Sequence, residues 1–93
     1  YKTNNYHLGL VYLVDVLGIY KKHDDYHNIS RCEKTLGTIY EYFEDIEKAV
    51  ESYENAIEAA RKINDIKLES NALTNLSSIW IKQNDLEKAD AYI

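Results

Sequence analysis

Two imidazoles and two carboxylates fall within five consecutive residues, His23-Asp24-Asp25-Tyr26-His27, the one stretch whose composition suits a metal site or an acid–base pair. The spacing argues against both. A helical His-x-x-x-His pair binds metal because both rings face one side, whereas here a helix start is expected at Asp25, between them. Asp25 therefore reads as a cap, and His23 and His27 as solvated rings. His7 has no partner in the sequence and is expected to be exposed. The single cysteine, Cys32, stands where the chain carries Ala72 forty residues later, which makes it a small packing residue and not a nucleophile. Nine tyrosines could stack on nucleotide bases, but Tyr6, Tyr26, Tyr40 and Tyr53 occupy recurring positions and read as core rings with hydroxyls at the edge. No glycine-rich phosphate loop, catalytic carboxylate pair or Ser/His/Asp set occurs. Binding rather than catalysis is the chemistry expected, with no metal and no cofactor.

The pattern around these residues is helical. Proline is absent and there are three glycines, so nothing forces a strand turn. Asp or Asn precedes a bulky apolar residue at Asn5-Tyr6, Asp25-Tyr26, Asp45-Ile46, Asp65-Ile66 and Asp85-Leu86, a spacing of 20 residues. Each is an expected helix start, because the side-chain oxygen can accept from the free N–H groups of the next turn. Helices are predicted over about 6–22, 26–43, 46–63, 66–82 and 86–93. The first has Tyr6, Leu10, Leu13, Val14, Leu17 and Tyr20 near one face. Comparing the chain with itself at a shift of 40 aligns Asp25/Asp65, Ser30/Ser70, Leu36/Leu76, Ile39/Ile79, Asp45/Asp85 and Ala49/Ala89. This is one repeating array of helical hairpins. Gly37, Ala49 and Ala56 are the expected points of close helix approach. Glu33 is the odd residue in an otherwise apolar face.

Composition limits the partners. Charged residues make up 29% of the chain and the formal net charge is −5, which disfavours nucleic acid, where a clustered basic face is expected. The most apolar run, Leu8 to Tyr20, spans 13 residues with Asp15 inside it. A membrane span needs roughly 20, so none is expected. One cysteine forms no internal disulfide, and a reducing, cytoplasmic setting is the expectation. The chain opens on Tyr1 and stops at Ile93 inside a repeating unit, so we read it as a fragment of a longer polypeptide.

Leu36, Gly37 and Tyr40, then Ala49, Tyr53 and Ala56, resemble the signature of the tetratricopeptide repeat family, and Leu76, Trp80 and Ala89 resemble its next copy. The unit is longer than that family's usual period of about 34 residues; the excess lies in Glu58 to Ser70. The longer form resembles the arrays of bacterial histidine kinases, diguanylate cyclases and peptide-sensing regulators. The sequence departs from the family pattern at Glu44 and Asn84, where a turn glycine is usual, at the missing proline, and at Glu33 and Ser77, which replace an apolar residue and a glycine. The resemblance implies an all-α, right-handed solenoid of antiparallel hairpins. It also implies a concave groove lined by the first helix of each unit. That groove would be formed by Arg31, Lys34, Thr35, Thr38, Glu41 and Tyr42 from one unit and Asn71, Thr74, Asn75, Ser78, Ile81 and Lys82 from the next. Asn75 stands where the family often carries an asparagine that bonds a ligand backbone. The implied function is a scaffold binding a protein or peptide segment, acidic in view of Arg31, Lys34 and Lys82, or docking a neighbouring domain. The alternative is the sensory or regulatory region of a signalling protein. Self-association through an unpaired hairpin is a third expectation.

Overall fold

Three short turns, built alike, divide the described part of the chain. The computed structural model describes residues 2–83, with side chains from residue 5 onward. It contains α1 (Lys2–Lys22), α2 (Tyr26–Tyr42), α3 (Ile46–Lys62) and α4 (Ile66–Lys82), and no strand among the described residues. The helix expected over 86–93, with Asp85 and Ala89, lies outside them.

The turns explain why the helices stop and restart at a 20-residue interval. Asp24, Glu44 and Asn64 take left-handed backbone, with φ of 52°, 61° and 55°. Their N–H groups donate to the Lys21, Glu41 and Arg61 carbonyls at 3.2, 2.9 and 3.1 Å. The next N–H, from Asp25, Asp45 or Asp65, donates to the carbonyl of Tyr20, Tyr40 or Ala60 at 3.0, 2.9 and 3.0 Å. These paired bonds form a Schellman closure, which satisfies carbonyls that a helix end leaves free. The same aspartates then open the following helix: their side chains accept from the backbone of Asn28, Lys48 and Leu68 at 3.3, 3.3 and 3.1 Å. One residue thus ends one helix and starts the next.

Asn5 was expected to cap in the same way, and it does not. It lies inside α1, which already runs from Lys2. The aspartate acts where a left-handed residue reverses the chain immediately before it, and Asn5 follows helix.

Consecutive helices pack on one another, and α2 also touches α4. Contacts between α2 and α3 run in opposite directions along the two helices: Ser30 Oγ donates to the Ala56 carbonyl at 2.8 Å, Asn55 Nδ2 donates to Glu33 at 3.3 Å, and Thr38 Oγ1 lies 3.1 Å from Tyr53 Oη. The pair is antiparallel. Ala49, Tyr53, Ala56 and Ile57 of α3 form one core with Ala72, Leu76 and Ile79 of α4. Leu17 of α1, Ile29, Cys32 and Leu36 of α2 and Ala59 of α3 form a second.

The expected close-approach residues sit at these seams. Ala49 and Ala56 are fully buried, and a methyl group on Gly37 would run into the Tyr53 ring. Tyr53 is the only one of the four expected core tyrosines that is fully buried; Tyr6, Tyr26 and Tyr40 are half-buried. Val14, expected on the α1 core face, is exposed, because among the described residues α1 packs chiefly on α2 and the covered stripe is narrow. No helix among the described residues is long and apolar enough to cross a membrane.

Candidate binding surfaces

Residues three and four apart share a helix face, and α2 and α4 carry the twelve expected groove residues on faces that the cores leave uncovered. None of Arg31, Lys34, Thr35, Thr38, Glu41, Tyr42, Asn71, Thr74, Asn75, Ser78, Ile81 and Lys82 is buried. One contact joins the two faces: Lys82 Nζ lies 3.5 Å from Glu41 Oε2. Glu41 is itself held from below, since Tyr53 Oη donates to its Oε1 at 2.6 Å. Burial first, and then the Glu41 carboxylate beside it, push the Tyr53 hydroxyl well above the ordinary tyrosine range, so it remains a donor. The core ring thereby orients a surface carboxylate.

Several expected contacts are already engaged. Thr35, Thr38, Thr74 and Ser78 turn their hydroxyls onto the carbonyls of Arg31, Lys34, Ser70 and Thr74, one helical turn back. The protons of Thr35, Thr74 and Ser78 are committed to their own helices, which leaves only lone pairs for a ligand. The Thr38 hydroxyl instead lies between the Lys34 carbonyl and Tyr53 Oη, whose own proton goes to Glu41. Lys82 is paired with Glu41, which leaves Arg31 and Lys34 as the groove cations with no carboxylate partner among the described residues. Tyr42 stacks on Tyr6 of α1 at 4.0 Å between ring centroids. His7, expected to stand alone, stacks on Phe43 at 4.6 Å. These rings tie the start of α1 to the end of α2.

Two clefts flank α2. The first, about 240 Å³, lies beside Arg31 and Thr35 and is walled by Tyr12, Leu13, Val16, Tyr20, Asn28 and Cys32. Cys32 is buried and its Sγ donates to the Leu13 carbonyl at 3.4 Å. Burial, and next the charge of Glu33, raise its pKa, so the thiol stays protonated and packs. The second cleft, about 230 Å³, lies on the far side of α2 and is bordered by α1 and α3. Its wall includes Glu33, which is 3% exposed. Asn55 donates to Glu33 Oε2 at 3.3 Å, and Lys21 Nζ lies 4.0 Å from the same atom. Burial raises the Glu33 pKa, while Lys21, Asn55 and Ser52 act in the opposite direction and offset it in part.

Sequence reasoning did not foresee this second cleft. The signal was present in the 40-residue comparison, which sets Glu33 against Leu73, but a single odd residue does not reveal that Lys21 and Asn55 converge on it.

His23 and His27 are exposed, and Asp25 is used as a cap. No group of three or more His, Cys, Asp or Glu among the described residues could hold a metal ion. The chain matches no family model, no curated protein and no solved structure.

Proposed function

We propose that the chain is part of a tetratricopeptide-type right-handed solenoid whose α2–α4 face binds a protein or peptide segment. The observation that carries this reading is the Lys82–Glu41 bridge, which sets equivalent faces of the two units side by side. Arg31 and Lys34 from one unit and Asn71, Thr74 and Asn75 from the next then present charge and hydrogen-bonding groups on rigid helices. A ligand spanning both meets several groups at once with little ordering of the protein. The two unpaired cations favour a segment with carboxylates, and they sit on a chain whose net charge is −5, so the attraction is local to this face.

The test is a fluorescence-anisotropy screen of acidic, neutral and basic peptides, followed by Arg31→Glu with Lys34→Glu. The double variant is expected to weaken the best acidic ligand by about tenfold or more while the far-UV circular dichroism stays unchanged. Undiminished affinity would remove the α2–α4 face from the interface.

A second reading, a regulatory region that changes curvature on binding, has one observation in its favour: both clefts lie against α2, at or beside its junction with α1. A ligand filling either cleft would bias that junction. Small-angle scattering with and without ligand would detect the change; an unaltered profile would remove this reading.

A further inference from the structure

We propose that the cleft between the C-terminal parts of α1 and α3 and the first half of α2 binds a small primary amine, with the Glu33 carboxylate as its counter-ion. This does not depend on the peptide-binding reading, which concerns the opposite side of α2.

The internal repeat supplies a control. Forty residues on, Leu73 fills the position of Glu33 and packs against the core, so the fold accepts an apolar side chain there. In that second unit the acid stands one turn earlier, as Glu69 in place of Ile29, and Arg61 reaches it at 2.7 Å near the surface. In the first unit the acid is moved inward and its pairing loosens. Lys21 is 4.0 Å away, beyond hydrogen-bond reach, and the Asn55 contact of 3.3 Å is a long one. A buried carboxylate held by the neutral donors Asn55 and Ser52, with its nearest cation 4.0 Å away and open space of about 230 Å³ beside it, is a site whose charge a donor cation would balance.

Charge and shape select the ligand. Asp24, Glu33 and Glu58 face Lys21 and Lys62 around the cleft, so a single positive charge brings the lining to neutrality. Lys62 is drawn aside over the Tyr26 ring at 5.0 Å. Tyr26, Ile29 and Ala59 give the cleft an apolar wall, which suits an aliphatic or aromatic body behind the ammonium. The Arg31 cleft on the other side of α2 has no carboxylate on its wall and serves as the built-in comparison.

The experiment is an NMR titration of the chain with n-butylammonium chloride, using n-butanol as the neutral ligand of the same shape. Saturable shifts at Tyr26, Ile29, Glu33 and the Asn55 side chain are expected with the amine and not with the alcohol. Glu33→Gln should weaken the amine by about tenfold or more, and Glu33→Leu, which copies the second unit, should abolish binding while keeping the helical spectrum. Equal shifts with butanol, no saturable shift with butylammonium, or unchanged affinity in a folded Glu33 variant would each overturn the proposal.

Discussion

Replacing Gly37 by alanine tests the tightest seam in the fold, and the contact it breaks also supports the candidate surface. A Cβ at this position would lie 2.6 Å from Tyr53 Cε1 and 2.8 Å from both Cδ1 and Cζ. Carbon atoms pack comfortably at about 3.5–4.0 Å. The ring has little room to withdraw: Tyr53 is 1% exposed, its hydroxyl is held by Glu41 at 2.6 Å, and Thr38 lies at 3.1 Å. Overpacking of this kind destabilises by about 2–3 kcal/mol. Alanine recovers about 1 kcal/mol over glycine inside a helix, so the net loss should be about 1–2 kcal/mol. The decisive measurement is a double-mutant cycle with Tyr53→Leu, which removes the obstructing ring. In that background Gly37→Ala should change sign and stabilise by about 0.5–1 kcal/mol. Urea unfolding followed by far-UV circular dichroism, in trimethylamine N-oxide so that the weaker variants remain folded at the start, reads all four proteins on one scale. A stabilising Gly37→Ala in the wild-type background, or the same effect in both backgrounds, would refute the steric argument.

Two further outcomes follow from the turns and the buried acid. Glu44 holds a left-handed φ of 61° with a side chain that prefers other conformations; Glu44→Gly should stabilise by about 0.5–1 kcal/mol after allowing for the freer unfolded chain, whereas Asn64→Gly should change little, and thermal melts of the two variants make the comparison. Burial raises the Glu33 pKa above its ordinary 4.5, so the stability this group contributes is fully present below the unfolded-state value and is lost as pH rises through the folded-state value. Wild type should therefore lose stability relative to Glu33→Gln as pH rises above the ordinary glutamate value of 4.5, and parallel urea titrations showing no such divergence would contradict the burial argument.

Much of this architecture could be read before any coordinates. Helix identity and most boundaries follow from local rules: no proline, an aspartate every twentieth residue, and apolar spacing of three and four. Asp25, Asp45 and Asp65 act on backbone groups within a few residues of themselves, so their effect is written in their immediate neighbourhood. The same locality explains the failure at Asn5, which has the capping residue type without the preceding reversal. The small residues at 37, 49 and 56 were legible because close helix approach leaves few alternatives in side-chain size.

The candidate surfaces were less legible, because pairing across helices depends on rotation and reach. Spacing placed Thr35, Thr38, Thr74 and Ser78 on an open face but not their hydroxyls on their own carbonyls. It placed Lys82 and Glu41 in separate units but not 3.5 Å apart. Tyr6, His7, Tyr42 and Phe43 meet through rings separated by more than thirty positions in the chain. The amino-acid order alone determined an all-helical chain with equal turns and a 40-residue rhythm, since capping and periodicity are short-range. Packing decided that Glu33 would be shut away beside Lys21 and Asn55 with a cleft before it, because desolvation arises when three separate helices converge on one carboxylate.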